Sequence, residues 1–219
     1  MIDFSLYLVT DRSLSLGRST VDIVRAAIRG GVTCVQLREK QCATREFIEE
    51  ARAIRRLLDA LETRIPLIIN DRIDVALAIG ADGVHLGQTD MEIADARRLA
   101  GSSLLIGISA ESVMDAVHAE SEGADYIGIS PIFATPTKKD TAPPLGLAGV
   151  RAIREAVSLP LIGIGGVKAD NAAAIIRAGA DWVAVVSAIV SAPCPASAAT
   201  ALKYRIQSAK ERDEDVWNN

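Results

Sequence analysis

Histidine is almost missing from this chain. Only His85 and His118 occur in 219 residues, which leaves little material for histidine-centred acid–base chemistry or a Ser-His-Asp triad. Cysteine is as scarce. Cys34, Cys42 and Cys194 are odd in number and have no C-x-x-C spacing. That excludes a disulfide framework or a cysteine zinc site and suits a reducing cytoplasm. Aromatics reach only 4% and no basic block occurs. A nucleic-acid binder needs a basic stripe or stacking rings, so that class is set aside. The longest apolar stretch near the C-terminus, Trp182 to Ala192, is too short for a bilayer and contains two serines. The opening MIDFSLYLVTDR lacks a basic n-region and meets Asp11-Arg12 too early for a secretory signal. The expectation is a cytoplasmic protein, with neither membrane nor nucleic acid among its partners.

What the chain does have is a core. Hydrophobic residues make up 49% and the net charge is -4, ample apolar material for one large domain. Apolar β-leaning runs alternate with amphipathic stretches. Runs fall at Phe4–Val9, Val32–Leu37, Leu67–Ile69, Gly83–Leu86, Leu104–Ile108, Tyr126–Ile129, Leu159–Ile164 and Trp182–Val186. Helical patterns lie between them, and Ser19-Thr20, Thr44 and Ser112 offer starts. A last helix is expected over Ala198–Lys210, with residues 211–219 a polar, frayed tail. Gly80-Ala81-Asp82, Gly123-Ala124-Asp125 and Gly179-Ala180-Asp181 each separate a helix from a strand, and Gly30-Gly31-Val32 is a looser copy. Glycine ends helices in the left-handed conformation, so this repeat marks the turns into strands. Eight strands alternating with helices in about 210 residues point to an α/β protein, a single-domain (β/α)8 TIM barrel over residues 1–210. No G-x-G-x-x-G follows the first strand, against a doubly wound sheet.

In such a barrel the strand C-termini build the active site. The first offers Thr10, Asp11 and Arg12; the second Gln36, Arg38 and Lys40; the third and fourth Asn70, Asp71 and Asp90; the fifth Ser109. The sixth is followed by the long loop Ser130–Gly146 with Thr135, Thr137, Lys138 and Lys139. The seventh offers Gly165 and Gly166, and the eighth Val186 and Ser187. Asp71 and Asp90 end two consecutive parallel strands and should face each other. Two readings are open: helix N-caps, or ligands of a hard cation such as Mg²⁺, which takes one or two carboxylates plus substrate phosphates. Arg38-Glu39-Lys40 reads either as solvated loop charges or, with Lys138, as contacts for an anion. The glycine pair and Ser187 follow strands seven and eight, where barrels hold phosphate, although turn glycines alone would look the same. The long loop, with its lysines and threonines, reads as a lid over anionic substrates. His85 is read as an interior histidine with satisfied hydrogen bonds, His118 as a surface residue, and Cys34 as strand core.

Taken in order, YLVTDR, VQLREK, IINDR, GADGVHLGQTD, GISA, IFATPTKKD, IGIGGV and VVSAI resemble the thiamine-phosphate synthase family, from Tyr7 to about Ile189. Each motif alone is weak, but eight in order are specific. The resemblance implies a TIM-barrel transferase of thiamine biosynthesis. It would join 4-amino-2-methyl-5-(diphosphooxymethyl)pyrimidine to the nitrogen of a thiazole phosphate and release diphosphate. It implies Mg²⁺ on Asp71 and Asp90. It implies Arg38, Lys40, Ser109 and Lys138 as catalytic groups. Substrate contacts would come from Gln36, Leu37, Arg38, Glu39, Lys40, Asn70, Ser109, Thr135, Pro136, Thr137, Lys138, Gly166, Val186 and Ser187. As partners it implies the two small-molecule substrates, with a homo-oligomer allowed. Glu111 departs from the family pattern, which commonly has a basic or similar residue there. The rival readings are a thiazole tautomerase of the same fold and a non-catalytic thiazole-phosphate-binding regulator. The first would have less use for the aspartates and the REK run, and the second could lose them. A Schiff-base aldolase would need a strand lysine, and none of the eight runs has one.

Overall fold

The computed structural model describes residues 3–135, 137 and 142–217, without the side chains of 212–217. Its strands are β1 Leu6–Val9, β2 Cys34–Leu37, β3 Leu67–Asn70, β4 Gly83–Leu86, β5 Leu105–Ala110, β6 Tyr126–Ile129, β7 Leu161–Gly163 and β8 Trp182–Val185. All are parallel and pair in chain order, and Leu6 opposite Val183 closes β1 onto β8. The expected (β/α)8 barrel is therefore the observed one.

Alternation along each strand sorts the side chains. Leu6, Leu8, Val35, Leu37, Leu67, Ile69, Val84, Ile106, Ile127 and Val183 turn outward and are buried under helices. Tyr7, Val9, Cys34, Ile68, Tyr126, Ile162 and Ala184 turn inward and fill the barrel with Phe4. Strands apolar on both faces are what a parallel sheet under helices requires. Cys34 is strand core, as expected.

The outer layer is α1 Thr20–Arg29, α2 Thr44–Asp59, α3 Ile73–Ile79, α4 Ile93–Ala100, α5 Val113–Ser121, α6 Gly146–Ala156, α7 Ala172–Arg177, α8 Ser187–Val190 and α9 Pro195–Trp217. Ser19 and Ser112 cap α1 and α5 by accepting the N–H groups of Asp22 and Asp115. The last helix is longer at both ends than the expected Ala198–Lys210. Ala199, Leu202, Ile206 and Ala209 form its buried stripe, and it packs on α1 and α7.

The Gly-Ala-Asp repeat has a shared structural role. Gly80, Gly123 and Gly179 all sit at positive φ. Each aspartate then clasps the first or second residue of the neighbouring strand at the N-terminal end of the barrel. The Asp82 N–H donates to the Leu67 carbonyl at 2.9 Å, and its carboxylate accepts the Leu67 N–H at 2.8 Å. Asp125 does the same to Ile106 and Asp181 to Leu161. An arginine pairs with each carboxylate: Arg55 from α2, Arg97 from α4 and Arg154 from α6. The looser copy follows the same scheme. Thr33 donates its N–H to the Leu6 carbonyl, and its hydroxyl accepts the Leu6 N–H at 3.1 Å.

Candidate active site

At the opposite end the strand termini surround a cavity of ≈ 1180 Å³. The first two strand ends brace each other. The Thr10 N–H donates to the Gln36 carbonyl, and the Thr10 hydroxyl accepts the Arg38 N–H at 3.0 Å. Arg38 pairs with Asp11 at 2.6 Å, and both are largely covered. Arg12 bridges Glu39 at 3.0 Å and Glu50 at 2.9 Å. Burial pushes the Glu39 carboxyl up, and Arg12 only partly offsets it. The REK segment is thus held by specific ion pairs, unlike a freely solvated loop.

Asp71 follows β3 directly. It is one of two non-glycine residues at positive φ among the described residues, at 60°. Its N–H donates to the His85 carbonyl at 2.8 Å. Its carboxylate is ion-paired with Lys40. Asp90 arrives from the loop after β4, and its carboxylate accepts the Gly87 N–H at 2.7 Å. Burial, then the adjacent Asp71 carboxyl, pushes the Asp90 carboxyl up. The two acids therefore do face each other. Neither is a helix cap: those positions belong to Arg72 for α3 and Glu92 for α4. The capping reading falls, because the left-handed turn at Asp71 places it one residue too early.

Three polar side chains stand inside the mouth. Gln36 is buried and donates from Nε2 to the Tyr7 hydroxyl at 2.9 Å. Asn70 is also buried, and its Nδ2 has no partner among the described residues. An orphaned buried donor is costly, and a ligand acceptor would relieve it. Ser109 lies 3.0 Å from Nε2 of His85, whose Nδ1 lies 3.1 Å from the Tyr126 hydroxyl. His85 is the interior, hydrogen-bonded residue expected. His118 is exposed on α5, as expected.

Across the cavity, Gly165 and Gly166 have φ of 95° and 66°. A Cβ on Gly166 would fall 2.9 Å from the Ala134 carbonyl oxygen, so the two loops close on each other only through glycine. Thr135, Thr137, Val186 and Ser187 line the same wall, and Ser187 opens α8. The Thr135 hydroxyl accepts the Thr137 N–H at 3.3 Å. Glu111 also lines the mouth.

Most of the expected residues thus share one cavity: Gln36, Arg38, Glu39, Lys40, Asn70, Asp71, Asp90, Ser109, Thr135, Thr137, Gly166, Val186 and Ser187. Leu37 does not project into it. Its side chain turns outward into the helix layer, as strand alternation demands. Pro136 and Lys138 lie outside the described residues. Sequence reasoning missed Tyr7 and Tyr126, which join the mouth from the barrel interior. No strand-end pattern marked either, because both lie inside the barrel and not where an apolar run stops.

Comparison with known proteins adds the following. The family model described as thiamine monophosphate synthase matches residues 6–189. The chain is 52% identical to the thiamine-phosphate synthase of Chloroflexus aurantiacus, covering 97% of each chain. It is 53% identical to that of Albidiferax ferrireducens, covering 93% of this chain and 92% of the relative. Its fold superposes on a thiamine phosphate pyrophosphorylase from Pyrococcus furiosus with TM-score 0.86. That pair is 38% identical over 94% of this chain and 96% of the other.

Proposed function

Because the chain belongs to the thiamine monophosphate synthase family, we propose that its barrel mouth joins a pyrimidine diphosphate to a thiazole phosphate, with Mg²⁺ between Asp71 and Asp90. The chain is a transferase of thiamine biosynthesis that forms thiamine phosphate. The two substrates, the metal and the residue roles are the proposal. The observation that carries it is the pair of neighbouring carboxylates, Asp71 and Asp90, lining one cavity beside Lys40 and the orphaned Asn70 amide.

The donor set fits a hard divalent cation. Both proposed ligands are carboxylates, and burial, then the adjacent Asp71 carboxyl, disfavours the Asp90 anion despite the nearby Lys40. Among the described residues no cluster of three or more metal-ligating side chains gathers. Two carboxylates with room for substrate oxygens is the habit of Mg²⁺. Bound there, the cation supplies positive charge against the departing diphosphate.

The chain's own groups divide into two walls. Arg38 and Lys40 stand where the diphosphate would lie, each now held by an aspartate, Asp11 and Asp71. Both cations are thereby kept in place before substrate arrives. Lys138 is proposed to join them. Asn70 and Ser109 offer donors at the barrel axis, and Gln36 fixes the ring beside them. On the far wall the glycine turn, Thr135, Thr137, Val186 and Ser187 would take the thiazole phosphate. The C–O bond to diphosphate breaks first, and its electron pair leaves with the phosphate oxygen. The aminopyrimidine ring delocalises the positive charge left on its methylene carbon. The thiazole nitrogen lone pair then forms the new C–N bond. No protein nucleophile is needed, so positioning and electrostatics supply the rate.

No described helix is long and apolar enough to cross a membrane. Its place is proposed to be the cytoplasm, with small molecules as its partners. An omission assay tests the reading. Purified protein should release diphosphate and thiamine phosphate one for one, only when both substrates and Mg²⁺ are present. Tight binding of thiazole phosphate without product would contradict it and favour a tautomerase or a regulator.

A further inference from the structure

A chain of hydrogen bonds crosses the barrel interior beneath the mouth. It runs from Gln36 to Tyr7 at 2.9 Å, to Tyr126 at 3.2 Å, to His85 at 3.1 Å and to Ser109 at 3.0 Å. An amide nitrogen can only donate, so Gln36 fixes the sense of the first link. The Tyr7 oxygen accepts there. Either hydroxyl can donate across the Tyr7–Tyr126 link, and the Tyr7 proton also has the Cys34 thiol as a partner; in the sense that leads on to His85 it goes to the Tyr126 oxygen. The single proton of Tyr126 then goes to Nδ1 of His85. A neutral imidazole carries one N–H. With Nδ1 accepting, that proton sits on Nε2 and is donated to the Ser109 oxygen. The proton of Ser109 is the one left unused by the chain.

We propose that Tyr126, oriented by Tyr7, is a positioning residue that holds His85 as its Nε2–H tautomer. The Ser109 hydroxyl is thereby aimed, proton first, at an acceptor of the bound pyrimidine diphosphate. The last clause rests on the substrate reading given above; the tautomer does not.

The fold is built around these rings. A Cβ on Gly107 would fall 2.0 Å from Cζ of Tyr126, and one on Gly128 would fall 2.9 Å from Cε1 of His85. Two inward glycines on β5 and β6 therefore seat the two rings. Phe4 packs on Tyr126 with centroids 5.4 Å apart, and the His85 ring lies 5.5 Å from it. Burial pushes both tyrosine hydroxyls up, so each remains a phenol with a proton to donate.

Tyr126→Phe tests the proposal, because it keeps the seated ring and removes only the oxygen. The first readout is the ¹⁵N spectrum of the imidazoles in ligand-free protein, with His118→Gln assigning the second histidine. Wild type should show His85 with its proton on Nε2. Tyr126→Phe should lose that preference and populate Nδ1–H. The kcat should fall by about tenfold, the worth of one buried hydrogen bond, with a smaller change in KM and the melting temperature nearly unchanged. In a His85→Gln background, whose amide has no tautomer to set, adding Tyr126→Phe should change kcat little further. A wild-type His85 protonated on Nδ1 would overturn the proposal. So would Tyr126→Phe protein with unaltered tautomer, whatever its rate. A wild-type protein that makes no thiamine phosphate would instead defeat the substrate reading, leaving the tautomer to be judged by its spectrum.

Discussion

Asn70 holds a buried amide nitrogen with nothing to bond to among the described residues. A group in that condition weakens the free protein and rewards a ligand that satisfies it. Asn70→Ala should therefore raise the KM for the pyrimidine diphosphate by about tenfold, the worth of one such bond, while the melting temperature barely moves. Steady-state kinetics beside a thermal melt check both halves. A large stability loss with unchanged KM would assign Asn70 to the fold alone. Asp71 carries a different mark, a left-handed backbone at φ 60°. Strained conformations of this kind gather at functional sites. Asparagine tolerates the same conformation, so Asp71→Asn removes the charge and leaves the turn. At this scale the sequence was partly legible. Carboxylates and cations at strand ends could be named, because their positions follow from where apolar runs stop. Tyr126 could not, because its role depends on His85 and Ser109 meeting it across three strands. The Leu37 side chain turns away from the cavity because a motif names neighbours, whereas a strand sends alternate side chains to opposite faces.

The element scale is where the Gly-Ala-Asp turn acts. Burial disfavours the Asp82 anion, but bonds from Arg64, the Leu67 N–H and Arg55 outweigh it and hold the carboxyl below its usual range. A lowered folded-state value gives stability that is fully present above the unfolded value, near about 3.9, and is lost as pH falls through the folded one. Asp82→Asn should destabilise by about 2 kcal/mol at neutral pH, from the weakened ion pairs and N–H acceptor. The gap from wild type should narrow as pH drops below about 4. Chemical denaturation across pH measures it, and a constant gap would exclude the ionised carboxylate as the source. The packing of β5 on β6 allows a second test. Gly107→Ala would drive a methyl into the Tyr126 ring, an overpacking expected to cost about 3 kcal/mol or more. Unchanged denaturation would contradict the seating of that ring. The repeat was visible in the sequence as a mark of turns, and glycine explained only half of it. Its aspartate waited on the structure, since the arginine partner lies one helix further back than the helix the turn ends, 27 or 28 residues away in each case.

For the whole molecule, closure is the organising fact. Eight strands pair in order, and α9 completes the helix ring by covering α1 and α7. The buried stripe of α9 extends to Ala209. A chain ended after Lys210 should therefore melt within a few degrees of the full chain, whereas one ended after Cys194 should fail to fold cooperatively. Circular dichroism distinguishes the two. Equal behaviour of both would deny α9 its structural part. The fold was legible because alternation of strand and helix survives small errors at element ends: the last helix runs from Pro195 to Trp217 where Ala198–Lys210 was expected, without altering the topology. The mouth inherits its order from that topology, which brings residues from Gln36 to Ser187 to one cavity. The account stands or falls on the two carboxylates there. The most direct measurement is the rate of thiamine phosphate formation over a Mg²⁺ titration, for wild type and for Asp71→Asn with Asp90→Asn. Wild type should be inactive with EDTA and saturate with Mg²⁺. The folded double variant should fall by about a thousandfold or more, the scale expected when transition-state charge is left unopposed, with no rescue at high Mg²⁺. Turnover that survives in the variant, or in EDTA, would contradict a metal held by Asp71 and Asp90.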